Sequence, residues 1–569
     1  MRRQQRTCVR NRAYTSGAMI RVSPAMVKQA GRAEGMRVSA SARQNFRVSR
    51  RIARSGRQSV RAALLPPQTM PVVTHAQAGS AGNLDAVLAI VPDNATAAAF
   101  DPLPESARWR ELHARSRPRS GSVRTTVLAN RRQTLAVTGY IGSDAGTFQR
   151  LALAGRMLKE CSARTPQTIG LFVSPALAAA PAALEALLAA ALAQAFQMPA
   201  FRARERGGNR IQRVVLLDTG RKPRAAGKDA RVDVPFAIAA ARGNNLVRWL
   251  GALPPNILDA RGYHTAVATL ARRHGLGFRW LNESALRRAG ANAFLAVSSG
   301  NSRREAGIAH LTYRPPRNRA RAPDVALVGK GIVFDTGGVN LKTHRSMLDM
   351  HTDMSGSAVA LATLLALAEL RAPIAVDAWL AITENHIGPD AYRPQEIVTA
   401  SNGVTIQVIH TDAEGRMVLA DTLALAARTR PRFMIDFATL TGACVYSLTE
   451  RMSGVLTNRA DLAGKLVAAG RTSGERVWHF PSDADFDSDL ESKIADILQC
   501  SADGKGDHIL ATRFLGRFVP DEIAWAHVDL SSATRSGGLA HINTDVTGFG
   551  VRYALELILR HDILKGLKR

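Results

Sequence analysis

Val328-Gly-Lys-Gly-Ile-Val-Phe-Asp-Thr-Gly-Gly-Val-Asn-Leu-Lys342 leaves an apolar run and enters a loop dense in glycine and charge. Short apolar runs bounded by glycine read as buried strands, so residues 325–328 are predicted as a strand that feeds this loop. The texture repeats downstream. Strands are expected over 376–382, 405–409, 433–437 and 525–528, and helices over 355–370, 418–427 and 550–559. Strands alternating with helices specify an α/β domain, here with a mixed central sheet. In open α/β sheets ligands lie beyond the carboxyl ends of the strands, so the loops after these strands are where chemistry is expected.

Upstream the pattern is similar, with strands expected over 86–91, 134–140, 168–173 and 214–218 and a helix over 148–158. The alanine-rich stretch 176–196 contains Pro181, Glu185 and Gln194 and reads as a helix of a water-soluble domain. No apolar run reaches the roughly 20 residues of a membrane span. A polar stretch, 219–231, resembles a linker; a helix over 236–250 then precedes the breaker Pro254-Pro255-Asn256. The expected organisation is a basic extension over 1–68, an N-terminal α/β domain with its linker over 69–230, and a second α/β domain over 231–569.

The formal charge is +30, and residues 1–65 hold fifteen arginines, one lysine and a single acid, Glu34, so half of the excess sits in that segment. It reads as a transit peptide, a polyanion-binding arm or upstream sequence translated from an over-long gene; the excess of arginine over lysine and the later Met26, Met36 and Met70 favour the last. Nucleic acid is expected to bind only nonspecifically, through this arm. Cys8, Cys161, Cys444 and Cys500 are scattered without CxxC pairs, so neither a cysteine zinc site nor a disulfide framework is indicated, and a reducing compartment fits.

Three segments gather acids and bases: 328–342, Met350-His-Thr-Asp-Met-Ser-Gly-Ser357, and His410-Thr-Asp-Ala-Glu-Gly-Arg-Met-Val-Leu-Ala-Asp421. They bring Asp335, Asp353, Asp412 and Glu414 together with Lys330, Lys342 and Arg416. Taken singly, an Asp after a strand caps a helix more often than it binds a metal, and Gly337-Gly338 is an ordinary turn. The Gly-x-x-x-x-Gly-Lys-Ser/Thr spacing of a phosphate loop is absent. As a set, four converging carboxylates would repel one another and stay partly protonated unless a cation compensated them. The residues alone therefore indicate a metal or anion site.

Lys330-Gly-Ile-Val-Phe-Asp335-Thr-Gly-Gly with Leu341-Lys342, Asp353-Met-Ser-Gly, Thr411-Asp-Ala-Glu-Gly-Arg416 and Asp436-Phe-Ala-Thr-Leu-Thr-Gly442 resemble, in order, the signatures of the leucyl aminopeptidase family. The resemblance spans about 236–559. It implies a macro-like N-terminal α/β domain, a catalytic α/β domain, and a metal-dependent aminopeptidase that uses a metal-bridged water and prefers apolar N-terminal residues such as Leu. Two divalent ions, zinc or manganese, are implied, with Lys330, Asp335, Asp353 and Glu414 holding one and Asp335, Asp412 and Glu414 the other. Lys342 would stabilise the oxyanion. Arg416 would hold a bicarbonate that relays the water's proton. Thr439 and Leu440 would contact substrate, and Met350 would line an apolar pocket or serve as core filler. The family also implies peptide substrates, a homohexamer and a cytoplasmic location, without membrane attachment. The alternative is a DNA-binding or regulatory protein on the same scaffold.

Departures from the pattern touch no implied ligand. His351 stands where the family has lysine, His410 where it has asparagine, and the glycine-rich segment near the C-terminus reads Cys500-Ser-Ala-Asp-Gly-Lys-Gly-Asp-His-Ile509. Because the carboxylate set is already complete, both histidines are expected to support the site from outside it.

Overall fold

The longest strand, Val325–Asp335, runs through Gly329, Lys330 and Gly331, where the sequence suggested that a loop begins. Paired strands on both sides hold it extended past those residues. Gly329 is required by packing: a Cβ there would lie 2.4 Å from Cα of Ser357. The computed structural model describes residues 64–115, 118–177, 179–202, 211–219, 232–316 and 322–568. The predicted linker, apart from Thr219, and residues 1–63 of the basic extension lie outside the described residues. Residues Val60–Arg569 form one compact unit.

The strands are β1 (Val72–Gln77), β2 (Ala86–Pro92), β3 (Val123–Val127), β4 (Leu135–Ile141), β5 (Thr168–Val173), β6 (Arg213–Asp218), β7 (Gly277–Asn282), β8 (Gly307–Tyr313), β9 (Val325–Asp335), β10 (Val376–Asn385), β11 (Ile397–Thr399), β12 (Thr405–Gln407), β13 (Phe433–Ala438), β14 (Ser453–Thr457), β15 (Val477–His479), β16 (Ile497–Leu498) and β17 (Ala524–Asp529). The first six form one sheet in the order β1-β6-β5-β2-β4-β3, parallel except for β3 against β4. Helices α1 (Thr147–Ser162) and α2 (Ala180–Ala195) cover it through Leu153, Met157, Leu187 and Leu188, all buried with Leu88, Val137 and Leu171.

The larger sheet has the mixed order β15-β14-β17-β13-β9-β10-β8-β7. Its centre, β17-β13-β9-β10, is parallel; β8 joins β10 antiparallel, β7 joins β8 antiparallel and β14 joins β17 antiparallel. Strands β1, β3, β7, β8, β11, β14, β15 and β16 escaped the sequence reading, and all of them lie at or next to a sheet edge. Edge strands carry exposed and charged residues, such as Val72 and Arg279, and so lack the continuous apolar run that marks a central strand.

Helix α3 (Val234–Gly251) is capped by Asp233, which accepts from the Phe236 amide at 3.0 Å. It packs on α4 (Ser355–Glu369), a helix buried all round through Val359, Leu361, Leu364 and Leu367, as its uniformly apolar sequence dictates. A buried ion pair between Arg552 and Glu185, at 2.6 Å, ties the chain's end to α2.

Leu64 and Leu65, inside the segment 1–68, pack against the core beneath α3 and α4. Removing two partly buried leucines costs about 1–3 kcal/mol. A chain beginning at Met70 is therefore expected to unfold at lower urea than one beginning at Val60; identical midpoints would show that these contacts contribute nothing.

Candidate metal centre

Lys330 and Asp335 stand five residues apart on β9, and in an unbroken strand they would face opposite sides. One extra residue in β9 removes that obstacle. Ile332 pairs with Thr383 while Asp335 pairs with Asn385, so three steps on β9 match two on β10. Such a bulge shifts the alternation by one and re-aims the side chains beyond it. Both side chains thus reach one cluster.

Lys330 Nζ is buried and lies 2.8 Å from Asp353 Oδ1, 2.9 Å from Glu414 Oε1 and 2.9 Å from the Thr439 carbonyl. Asp353 leads into α4 after the helical turn Met350–Thr352 and also accepts from the Thr439 hydroxyl at 2.7 Å. Glu414 is the first residue of α5 (Glu414–Ala427), where the helix N-terminus favours an anion. Beyond Asp335 the chain turns through Gly337 and Gly338, with φ of 86° and 64°, a region that side-chain-bearing residues rarely adopt. The turn closes with the Lys342 amide donating to the Thr336 carbonyl at 2.9 Å. Lys342 Nζ thereby returns to 2.9 Å from Asp335 Oδ2 and 2.5 Å from Asp412 Oδ1.

The structure brings together Lys330, Asp335, Asp353, Glu414 and Thr439, and joins Asp412 through Lys342. Leu440 borders the cluster: its amide donates to Asp529 at 3.1 Å, and a Cβ added at Gly415 would meet both Leu440 Cδ1 and Lys330 Nζ. Met350 is half-buried three residues before Asp353. Neither His351 nor His410 joins the carboxylate group; His410 Nδ1 instead accepts from the Asp412 amide at 3.3 Å.

Arg416, two residues into α5, is buried, and its Nη2 donates to both oxygens of Asp507, at 2.8 and 2.7 Å, while Nη1 donates to the Gln499 carbonyl at 3.2 Å. The bicarbonate expected at Arg416 thus finds both terminal nitrogens committed to the chain itself. Asn385, overlooked in the sequence, donates to Asp335 Oδ1 at 2.8 Å and to the Thr411 carbonyl at 3.1 Å. Its signal was its place at the carboxyl end of β10. Asp507 lay inside the departing C-terminal segment, with nothing in sequence to tie it to Arg416.

One oxygen from each of Asp335, Asp353 and Glu414 can lie within 4.8 Å of the others. Asp353 Oδ2 and Glu414 Oε2 are buried without hydrogen-bond partners, so the donor set fits a divalent cation, which would satisfy both. Burial and then the Asp335 carboxylate push Glu414 up, against the two lysines. Asp353 is likewise raised by burial, which together with Glu414 and Asp335 outweighs Lys330. For Lys330 burial pulls down, but Asp353, Glu414 and Asp335 together hold the ammonium above its usual range. Without a metal, the two ammonium groups carry the compensating charge.

Residues 245–555 match the family model described as "Cytosol aminopeptidase family, catalytic domain". The chain belongs to this family. A probable cytosol aminopeptidase of Synechococcus sp. (strain CC9605) is 40% identical over 324 residues, 56% of this chain and 65% of the relative. Another, of Synechococcus sp. (strain JA-3-3Ab), is 36% identical over 389 residues, 67% of this chain and 75% of the relative. The chain spans about 65% of the length of the first of these curated relatives. Among solved structures, the bottromycin maturation enzyme BotP in complex with Mn is 28% identical with a TM-score of 0.72, covering 85% of this chain and all of that one. A tomato leucine aminopeptidase mutant is 25% identical with a TM-score of 0.74, covering 87% and 98%. The α/β fold of the cytosol aminopeptidase family is therefore the fold of this protein.

The cluster sets two expectations. Cation binding must release protons held by the raised carboxyls and by Lys330, so affinity for Mn2+ should rise from about pH 6 to about pH 8. Titration calorimetry in buffers of differing ionisation enthalpy would report the protons; a pH-independent affinity would contradict the charge assignment. Separately, a Cβ at Gly415 would lie 2.6 Å from Lys330 Cε and 2.8 Å from Nζ. Gly415→Ala should leave the circular dichroism intact while lowering bound metal, and normal metal content would show that Lys330 has room to move.

Proposed function

We propose that this protein is a metal-dependent aminopeptidase that removes N-terminal residues from peptides. The observation that carries the proposal is the buried cluster in which Lys330, Asp335, Asp353 and Glu414 converge, with Asp412 joined through Lys342. Lys330, Asp335, Asp353 and Glu414 would hold one divalent ion, and Asp335, Asp412 and Glu414 a second, with zinc and manganese both suited to this mixed oxygen and amine set. Bound there, the pair would supply Lewis acidity for the scissile carbonyl, a lowered pKa for the attacking water and an anchor for the free α-amine.

The chain's own residues position and compensate. Lys342, held above its usual range by Asp335, Glu414 and Asp412 against the opposing pull of burial, stays protonated and meets the negative charge that develops on the carbonyl oxygen. Asn385 and the Gly337 amide, each 2.8 Å from Asp335 Oδ1, fix that carboxylate's orientation. Thr439 orients Asp353 and Lys330 and, with Leu440, borders the substrate. Val339, Leu341 and Leu348 are exposed on the loop between Asp335 and Asp353, and with Met350 they support a preference for apolar N-terminal residues such as Leu. The family resemblance supports a homohexamer in the cytoplasm, and the two sheets support an N-terminal domain ending near residue 230.

Lys342 and Glu414 carry separable roles. Lys342→Ala should keep both metals while turnover on leucine amide falls about 10²–10³-fold, with the Michaelis constant changing far less. Glu414→Ala removes a shared anionic ligand and should lower metal content. Elemental analysis with steady-state kinetics on both variants tests this; near-normal turnover in Lys342→Ala, or two metals and full activity in Glu414→Ala, would require redrawing the site.

A further inference from the structure

Arg416 is a buried cation whose partners all come from the chain. A guanidinium offers a planar anion two paired-donor edges, Nη1 with Nη2 and Nε with Nη2. Both edges run through Nη2, and here Nη2 donates to the two oxygens of Asp507 at 2.8 and 2.7 Å. Nη1 is taken by the Gln499 carbonyl at 3.2 Å. Nε alone is without a partner, and a single donor cannot grip a planar anion at two points.

Asp507 stands at the start of a helix. It is the first residue of helix α6 (Asp507–Gly516), entered through Gly506 at φ 60°, and its side chain remains 23% exposed while that of Arg416 is 2% exposed. The carboxylate therefore has a solvent-facing side as well as an Arg416-facing side. The other acids of the neighbourhood, Asp335, Asp353, Asp412 and Glu414, are engaged with Lys330 and Lys342. The Gln499 carbonyl accepts from Arg416 while the Gln499 side chain accepts from the His410 amide and donates to the Ala413 carbonyl, next to Glu414, so Asp507 is anchored beside the segment that carries Asp412 and Glu414.

We propose that Asp507 is an internal carboxylate that takes the place of a dissolved carboxylate-like anion at Arg416 and carries the proton of hydrolysis. The inference rests on the aminopeptidase reading. As the water oxygen bonds to the carbonyl carbon, one water proton passes to Asp507 and the carbonyl π pair moves onto oxygen. Return of that pair breaks the C–N bond, and the proton goes to the departing amine. Arg416 holds the acceptor in position through both of its oxygens.

The test compares metal-loaded, full-length protein with its Asp507→Gly and Asp507→Asn variants, in carbon-dioxide-free buffer and with added bicarbonate or formate. Wild-type turnover on leucine amide is expected to be unchanged by either anion. Asp507→Gly opens the Nη2 edges, so turnover should fall about 10²-fold or more, with a small change in the Michaelis constant and recovery on adding bicarbonate or formate. Asp507→Asn fills the space without a base and should not recover. Line broadening of 13C-bicarbonate gives a readout apart from activity: broadening should grow in Asp507→Gly relative to wild type, ions at the metals contributing equally to both. Stimulation of wild type by bicarbonate, or full turnover in Asp507→Gly, would overturn the proposal. So would loss of turnover in His410→Asn with no anion rescue of Asp507→Gly, which would give the proton to the imidazole. Wild type without hydrolysis of any aminoacyl amide would remove the aminopeptidase reading, and unequal bicarbonate broadening would still report whether Asp507 closes Arg416.

Discussion

Two ammonium groups and four carboxylates share one pocket, and neither set could be buried without the other. An isolated ion inside a protein is strongly disfavoured, whereas a hydrogen-bonded pair recovers much of the lost hydration. Lys330 lies between Asp353 and Glu414, and Lys342 between Asp335 and Asp412. This alternation is what lets so many acids converge, and the scaffold is built to hold it. β9 supplies Lys330 and Asp335, the turn at Gly337-Gly338 brings Lys342 back, and the starts of α4 and α5 present Asp353 and Glu414 from fixed backbone.

The same arrangement makes the centre a proton reservoir. Acids raised by burial and mutual repulsion, and a lysine held protonated by them, are poised to exchange protons for metal charge rather than to accumulate both. Cation binding and local charge are thus one equilibrium. A neutral amine at Lys330 becomes favourable only when a stronger cation occupies the carboxylates.

Much of this was legible in the sequence because strand-end chemistry is local. Asp335, Asp353, Asp412 and Glu414 each sit within a few residues of an apolar run, and the glycines beside them mark the turns. What escaped was set by pairing across the sheet. The extra residue in β9 depends on where Thr383 and Asn385 fall on a neighbouring strand, and Gly329 and Gly331 looked like a loop because the close approach of α4 cannot be seen in one dimension. Edge strands such as β3 and β7 lacked the apolar run that identifies their central neighbours. Arg416 was legible as an anion-binding side chain, but its partner lies 91 residues away, in a segment whose only visible property was that it departed from pattern.

The small sheet β11-β12-β16 has a consequence of its own. β12 pairs in parallel with β16, Ile406 with Ile497 and Gln407 with Leu498, and from those two strands the chain runs directly to His410–Glu414 on one side and to Gln499 on the other. Gln499 stitches the two runs together, accepting from the Ile409 and His410 amides and donating to the Ala413 carbonyl, each at 3.0 Å. The chain between Gln499 and Asp507 is mostly exposed; Gly504 and Gly506 are held by φ of 67° and 60°, while Ala502, Asp503 and Lys505 face solvent. Evolution can therefore rewrite the residues of that arc, in length or in charge, between two anchored posts. New side chains can be offered to Arg416 by mutation of a tether alone, with the carboxylate cluster left untouched.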